Sequence, residues 1–127
     1  MADYRTPMNR VMGYGSAKEG TGHWWGQRLS AVAMIPLTVL ALFPLVEAYA
    51  GGYETMRATY AQPWNAIVMI LFLAVTFRHL QYGLQVVIED YVHDEPWRTG
   101  ALLGNIAFCA VVGLIGIFGV AKIAFAG

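Results

Sequence analysis

Residues Ala101 to Ala121, ALLGNIAFCAVVGLIGIFGVA, decide the fold. They contain no charge and one strongly polar residue, Asn105. At 1.5 Å per residue, a helix of this length crosses the roughly 30 Å hydrocarbon core of a bilayer. A helix packed in a soluble bundle would carry a polar stripe at a period of 3.6 residues, and this stretch has none. Its glycines, Gly104, Gly113, Gly116 and Gly119, include small residues three apart, a spacing that lets helices approach closely. They are read as a generic packing face. Cys109, the only cysteine of the chain, is read as packing as well; alone it closes no internal disulfide and supplies no four-cysteine zinc or iron–sulfur site.

Two further stretches toward the N-terminus repeat the pattern. Leu29 to Val46, LSAVAMIPLTVLALFPLV, is apolar apart from Ser30 and Thr38, whose hydroxyls can bond back to their own helix. Its Pro36 and Pro44 are tolerated in a membrane helix. The other runs from about Trp64 to Ile88 and carries Arg78 and His79 inside it. Trp24, Trp25, Trp64 and Trp97 all fall at span ends, where amphipathic rings favour the interface. The reading is all-α: one integral membrane domain over 1–127, with an N-terminal segment 1–23 and spans at about 24–48, 63–89 and 100–124. The composition agrees, being 57% hydrophobic and 13% charged over 127 residues, where soluble chains carry roughly a quarter charged residues. A net charge of zero gives no sign of a nucleic-acid partner.

Orientation follows from the basic residues, which favour the cytoplasmic side. Arg5, Arg10, Lys18 and Arg28 precede the first span and Arg98 lies in the second loop; Arg57 in the first loop and Lys122 in the tail oppose them, five against two. The N-terminus and the loop Glu89 to Gly100 are therefore expected in the cytoplasm, with Glu47 to Pro63 and the C-terminus outside. The opening MADYRTPMNRVMGYGSAKEG has no apolar core of signal-peptide type, and its Asp3 and Glu19 argue against a transit peptide. Insertion through the mature helices is expected.

An ionisable residue within a span is costly and is by default a candidate functional site. His79 lies 15 residues after Trp64 and 11 before Asp90. Eleven steps of 100° come to three turns plus 20°, which sets His79 and Asp90 on one face about 16 Å apart. Phe72, Val75, Tyr82, Gly83 and Val86 share that face, and Gly83, one turn after His79, leaves space beside the imidazole. A neutral imidazole on a rigid helix with room at i+4 suits axial ligation of a haem; a histidine hydrogen-bonded to another helix is the plainer alternative. His23 and Arg28, where the first span begins, could serve haem propionates from the same side. Arg78 forms a second polar stripe with Gln85, suited to a propionate or a partner's carboxylate. At the membrane boundary, Tyr91 could donate to a carbonyl of a lipid-soluble ligand, with Asp90 supporting proton delivery; an interfacial tyrosine beside helix-ending acids is the alternative. Glu89, Asp94 and Glu95 are read as solvated.

The string HLQYGLQVVIEDYVH, His79 to His93, resembles the smaller hydrophobic membrane anchor of succinate dehydrogenase, respiratory complex II, in which a haem-ligating histidine stands 11 residues before an Asp-Tyr pair. HWWGQRLS, His23 to Ser30, is similar to that family's His-Trp and Arg before its first helix. The resemblance implies that His79 is one axial ligand of haem b, binding its iron, with the second ligand supplied by the large membrane anchor subunit. It implies that Arg28 and His23 lie near the propionates, that Gly83 packs against the haem, and that Tyr91 and Asp90 form this chain's part of a ubiquinone site. The chain would dock the iron–sulfur and flavoprotein subunits to a bacterial cytoplasmic (inner) membrane, have no turnover alone, and pass electrons from succinate to ubiquinone within the tricarboxylic acid cycle and respiratory chain. Three other readings stay open. They are a fumarate reductase anchor using menaquinol, a structural or assembly membrane protein without cofactor, and, less well supported with one histidine deep in a span, a proton-conducting part of a transporter.

Overall fold

The computed structural model describes residues 6–12 and 20–125; Arg5 and Lys18, on which part of the basic-residue count rests, lie outside them. The described residues are helical nearly throughout: α1 (Pro7–Met12), α2 (Gly20–Ala61), α3 (Pro63–Tyr91) and α4 (Glu95–Phe125). The last three are long and apolar enough to cross a membrane. The 29 residues of α3 and 31 of α4 give lengths of about 43 and 46 Å, so both outreach the hydrocarbon into the headgroup layers.

α2 is too long to be one straight span, and it is broken. Gly52 sits at φ 75° and ψ −165°, a conformation only glycine adopts cheaply, so the 42-residue element is two helical pieces meeting there. The segment from Glu47 to Ala61, expected from its polarity as a loop, is helical apart from this break. Polarity told of its solvent and not of its backbone.

The connections are short and capped. Gln62 alone joins α2 to α3, with Pro63 in the first turn where its missing N–H costs nothing, and the Asn65 side-chain amide donates to the Thr59 carbonyl across the turn at 3.0 Å. Between α3 and α4, Val92 N–H closes on Ile88 O at 2.9 Å, and the Asp94 carboxylate accepts from Trp97 N–H at 3.3 Å, capping the start of α4. Such tight turns make neighbouring helices antiparallel, with α3 in the middle, packed on both α2 and α4.

Little is buried within the chain. Ala41, Ala48, Tyr60, Val68 and Met69 form a small apolar core between α2 and α3, whereas Leu29, Ile35, Phe43, Leu114 and Phe118 are exposed. In water that would be untenable; in lipid, or against another membrane subunit, it is expected. The α3–α4 seam relies on small residues. A Cβ added at Gly113 would lie 3.2 Å from the Phe77 ring, and one at Gly116 would lie 3.3 Å from Leu73, while Gly104 and Gly119 face open space. Two of the four glycines of the expected packing face therefore make the contact. Deeper in the seam the Asn105 amide donates to Gln81 O at 2.9 Å, and buried Cys109 donates to Asn105 Oδ1 at 3.4 Å.

Close packing here should outweigh the polar contact. Gly113→Leu is expected to destabilise the α3–α4 seam by about 1–3 kcal/mol through overpacking against Phe77, and Asn105→Leu by about 0.6 kcal/mol, the mean for an interhelical hydrogen bond in a membrane. Thermal unfolding of the detergent-solubilised protein checks the order, and a larger loss from Asn105→Leu would refute it.

Candidate functional site

The face of α2 that meets α3 repeats at i, i+4, i+7 and i+8, and these positions hold His23, Gln27, Ser30 and Ala31. The facing stripe of α3 holds His79, Tyr82, Gly83 and Val86 at i, i+3, i+4 and i+7. Between them opens a groove of about 470 Å³ lined by His23, Trp24, Gln27, Arg28, Ala31, His79 and Val86. Two segments that are about 50 residues apart in sequence thus bring His23, Arg28 and His79 to one cavity, as their residue types suggested.

Within the groove the side chains are held from behind. The Ser30 hydroxyl lies 3.0 Å from His79 Nδ1 and also donates to Gln27 O one turn back at 2.9 Å, so its bond to its own helix is joined by one across the helix pair. Tyr82 stacks edge-on against the His23 ring, with centroids 4.9 Å apart, and Gly26 lets it come so near: a Cβ there would fall 2.7 Å from the Tyr82 hydroxyl. His23 Nε2 is buried and has no hydrogen-bond partner. A buried polar atom without a partner costs about 1–3 kcal/mol, so this nitrogen is poised for an acceptor or donor that the described residues do not supply. The Arg28 guanidinium lies over the Trp24 ring, 4.8 Å from its centroid, and makes no hydrogen bond among the described residues.

Gly83 is open on this side. A Cβ there would meet Gln27 Nε2 at 3.8 Å, an ordinary contact, so packing inside the chain does not demand glycine. Asp90 and Tyr91 stand in the last turn of α3, exposed and outside the groove, with Tyr91 79% accessible. They are about 16 Å along the helix from His79.

Arg78 points along a different stripe. It donates to Gln81 Oε1 at 2.7 Å and to the Tyr82 hydroxyl at 2.6 Å, with its guanidinium 4.2 Å from the Tyr82 ring centroid. Gln81 continues to Gln85 at 3.3 Å, and Gln85 to Glu89 at 2.8 Å. The ladder climbs α3 from mid-span to its polar end, and its acceptors beside Arg78 are neutral. Sequence reading paired Arg78 with Gln85 and put Tyr82 on the His79 face, but missed the contacts of Tyr82 with Arg78 and His23, the role of Gly26 and the partnership of Ser30 with His79. The i+7 spacing puts Ser30 on the face of His23, but nothing within either helix pairs it with His79.

The comparisons with known proteins agree with this architecture. Residues 2–114 match the model of the family described as succinate dehydrogenase/fumarate reductase transmembrane subunit. The chain is 31% identical to the succinate dehydrogenase hydrophobic membrane anchor subunit of Paracoccus denitrificans, over 94% of this chain and 92% of that one. It is 26% identical to the protein of the same name from Rickettsia conorii, over 86% and 87%, and 27% identical to a fumarate reductase subunit of Vibrio parahaemolyticus, over 76% and 73%. No solved structure is significantly similar. Three membrane-length helices and a family match over most of the sequence make one statement: the chain belongs to the transmembrane subunits of succinate dehydrogenase and fumarate reductase.

Proposed function

We propose that the chain is the hydrophobic anchor of a succinate:ubiquinone oxidoreductase, holding one side of a haem b and part of a ubiquinone site and docking a flavoprotein and an iron–sulfur subunit to the membrane. The observation that carries the reading is the groove itself, in which His79, Arg28 and His23 meet and His23 Nε2 is buried without a partner. These residues fit a haem. His79 offers a ring nitrogen from a rigid helix, Arg28 and His23 offer donors for carboxylates at the same end, and Gly83 leaves the flank open. A haem held there would supply a one-electron carrier, with the large membrane anchor of the complex completing its site. His79 fixes the site, Arg28 neutralises propionate charge, and the Trp24 ring holds that guanidinium in place.

Quinone reduction consumes two protons as well as two electrons, so its site must touch water. The exposed end of α3 meets that need: the Tyr91 phenol donates to a quinone carbonyl, and the neighbouring Asp90 carboxylate exchanges protons with solvent. The N-terminal segment 1–23 and this end of α3 face the cytoplasm of a bacterial inner membrane in the proposal, which the five-to-two distribution of basic residues supports. Arg78, whose hydrogen-bond partners among the described residues are neutral, finds its counter-charge in a carboxylate of the partner anchor or in a propionate.

Two observations favour other readings. The fumarate reductase relative suits a complex working in the opposite direction with menaquinol. The Ser30–His79 hydrogen bond is what a purely structural histidine would make.

A spectrum of the purified complex separates them. His79→Ala is expected to abolish or shift the dithionite-reduced minus oxidised haem b signal while the chain still inserts; an unchanged signal sinks the ligand role. Tyr91→Phe is expected to lower quinone reductase activity about tenfold, the equivalent of one lost hydrogen bond of about 1.4 kcal/mol. Succinate oxidation with an artificial acceptor should persist, and equal loss of both activities would place the fault elsewhere.

A further inference from the structure

The hydroxyl of Ser30 has one proton and two polar neighbours. Gln27 O, at 2.9 Å, is a carbonyl and can only accept; His79 Nδ1, at 3.0 Å, can donate or accept according to its tautomer. If the proton of Ser30 turned to His79, the hydroxyl oxygen would face the Gln27 carbonyl at 2.9 Å with lone pair against lone pair. One arrangement satisfies both contacts: Ser30 donates to Gln27 O and accepts from Nδ1–H of His79. A neutral imidazole with its proton on Nδ1 has its lone pair on Nε2.

The surroundings make this arrangement hard to replace. Ser30 is 9% exposed and sits two residues past Arg28, inside the apolar stretch of α2, where no bulk water can stand in for a lost partner. His79 has no other side-chain hydrogen bond among the described residues. Without Ser30 the ring would be free to turn about its side-chain bonds or exchange tautomers.

We propose that Ser30 is a positioning residue for the metal site: it fixes the Nδ1–H tautomer and the ring plane of His79 and so presents Nε2 to the haem iron. The inference rests on reading His79 as the axial ligand. Its physical content goes further, because a hydrogen bond from the far ring nitrogen makes an imidazole more electron-donating toward the metal and lowers its freedom to leave. Ser30 therefore acts on the ferric state through His79 without touching the haem.

The test uses the whole complex, purified in mild detergent with all its subunits, and compares Ser30→Ala, Ser30→Thr and His79→Ala with the native protein. Three readouts are taken: haem per complex, the haem midpoint potential, and the low-spin ferric signal in electron paramagnetic resonance. Ser30→Ala is expected to weaken haem retention about ten- to a hundredfold, as loss of a partner behind a ligating histidine does. It should also raise the midpoint potential and shift the g-values, since the ferric form loses electron donation. Ser30→Thr, which keeps the oxygen, should restore all three. If Ser30→Ala fails to assemble, Ser30→Thr and Ser30→Val decide, because they have the same shape and differ in the hydroxyl; equal values for the two would overturn the proposal. Native values for Ser30→Ala, in a complex whose haem is lost with His79→Ala, overturn the role of Ser30 and leave the ligand standing. Native haem in His79→Ala overturns the ligand reading and this inference with it.

Discussion

In hydrocarbon a backbone amide or a serine hydroxyl has no solvent to fall back on, so every polar group must find its partner inside the protein. The consequences run through the whole chain. The backbone is helical from Gly20 to Phe125 with breaks only at Gly52, at Gln62 and over Val92 to Asp94. Each strongly polar side chain in mid-span answers to a neighbour: Ser30 to Gln27 and His79, Asn105 to Gln81, and Arg78 to Gln81 and Tyr82. The exceptions then stand out: among the described residues His23 Nε2, Tyr60 Oη and Thr76 Oγ1 are buried without partners. The histidine lies in the groove, which makes it the most informative of the three.

The constraint also explains why the chain holds so few buried large side chains. With lipid as apolar as leucine, helices gain little by hiding leucine from it, and cohesion comes from close approach at Gly113 and Gly116 and from polar ties such as that of Asn105. α3, gripped on both sides, is the natural place for groups that must be held still. His79 is on it, and so is the exposed Tyr91 at its polar end.

Much of this was legible in the sequence, for reasons that differ by feature. The three spans followed from runs of apolar residues, because the bilayer selects for length and composition alone. The shared face of His79, Gly83 and Val86 followed from helical geometry, which is fixed once a helix is granted. The meeting of His23 and Arg28 with His79 followed from their place at the same end of antiparallel helices. The segment after Glu47 was misjudged because Gly51, Gly52 and its charged residues mark a departure from lipid, and a helix can leave lipid without unwinding. The Ser30–His79 and Gly26–Tyr82 contacts were out of reach. They depend on the rotation and register of α2 against α3, to which a shift of one residue makes a difference of about 100°, and no pattern within either helix encodes it.

The single residue Gln62 between α2 and α3 bears on how the chain enters the bilayer. α3 is the least apolar of the three spans and carries Arg78 and His79 in its middle, so its transfer from the translocon into lipid is the most costly step. Because the segment from Glu47 to Ala61 is helix and not free loop, and only Gln62, about 3.8 Å of chain, follows it, α3 is kept close to α2 and the two partition as a hairpin. The apolar bulk of the first helix offsets the polar load of the second, and the Asn65–Thr59 tie helps to close the hairpin at its bend. A longer, flexible connector would uncouple the two events and leave α3 to insert on its own weak hydropathy, so the shortness of this turn serves biogenesis as much as architecture.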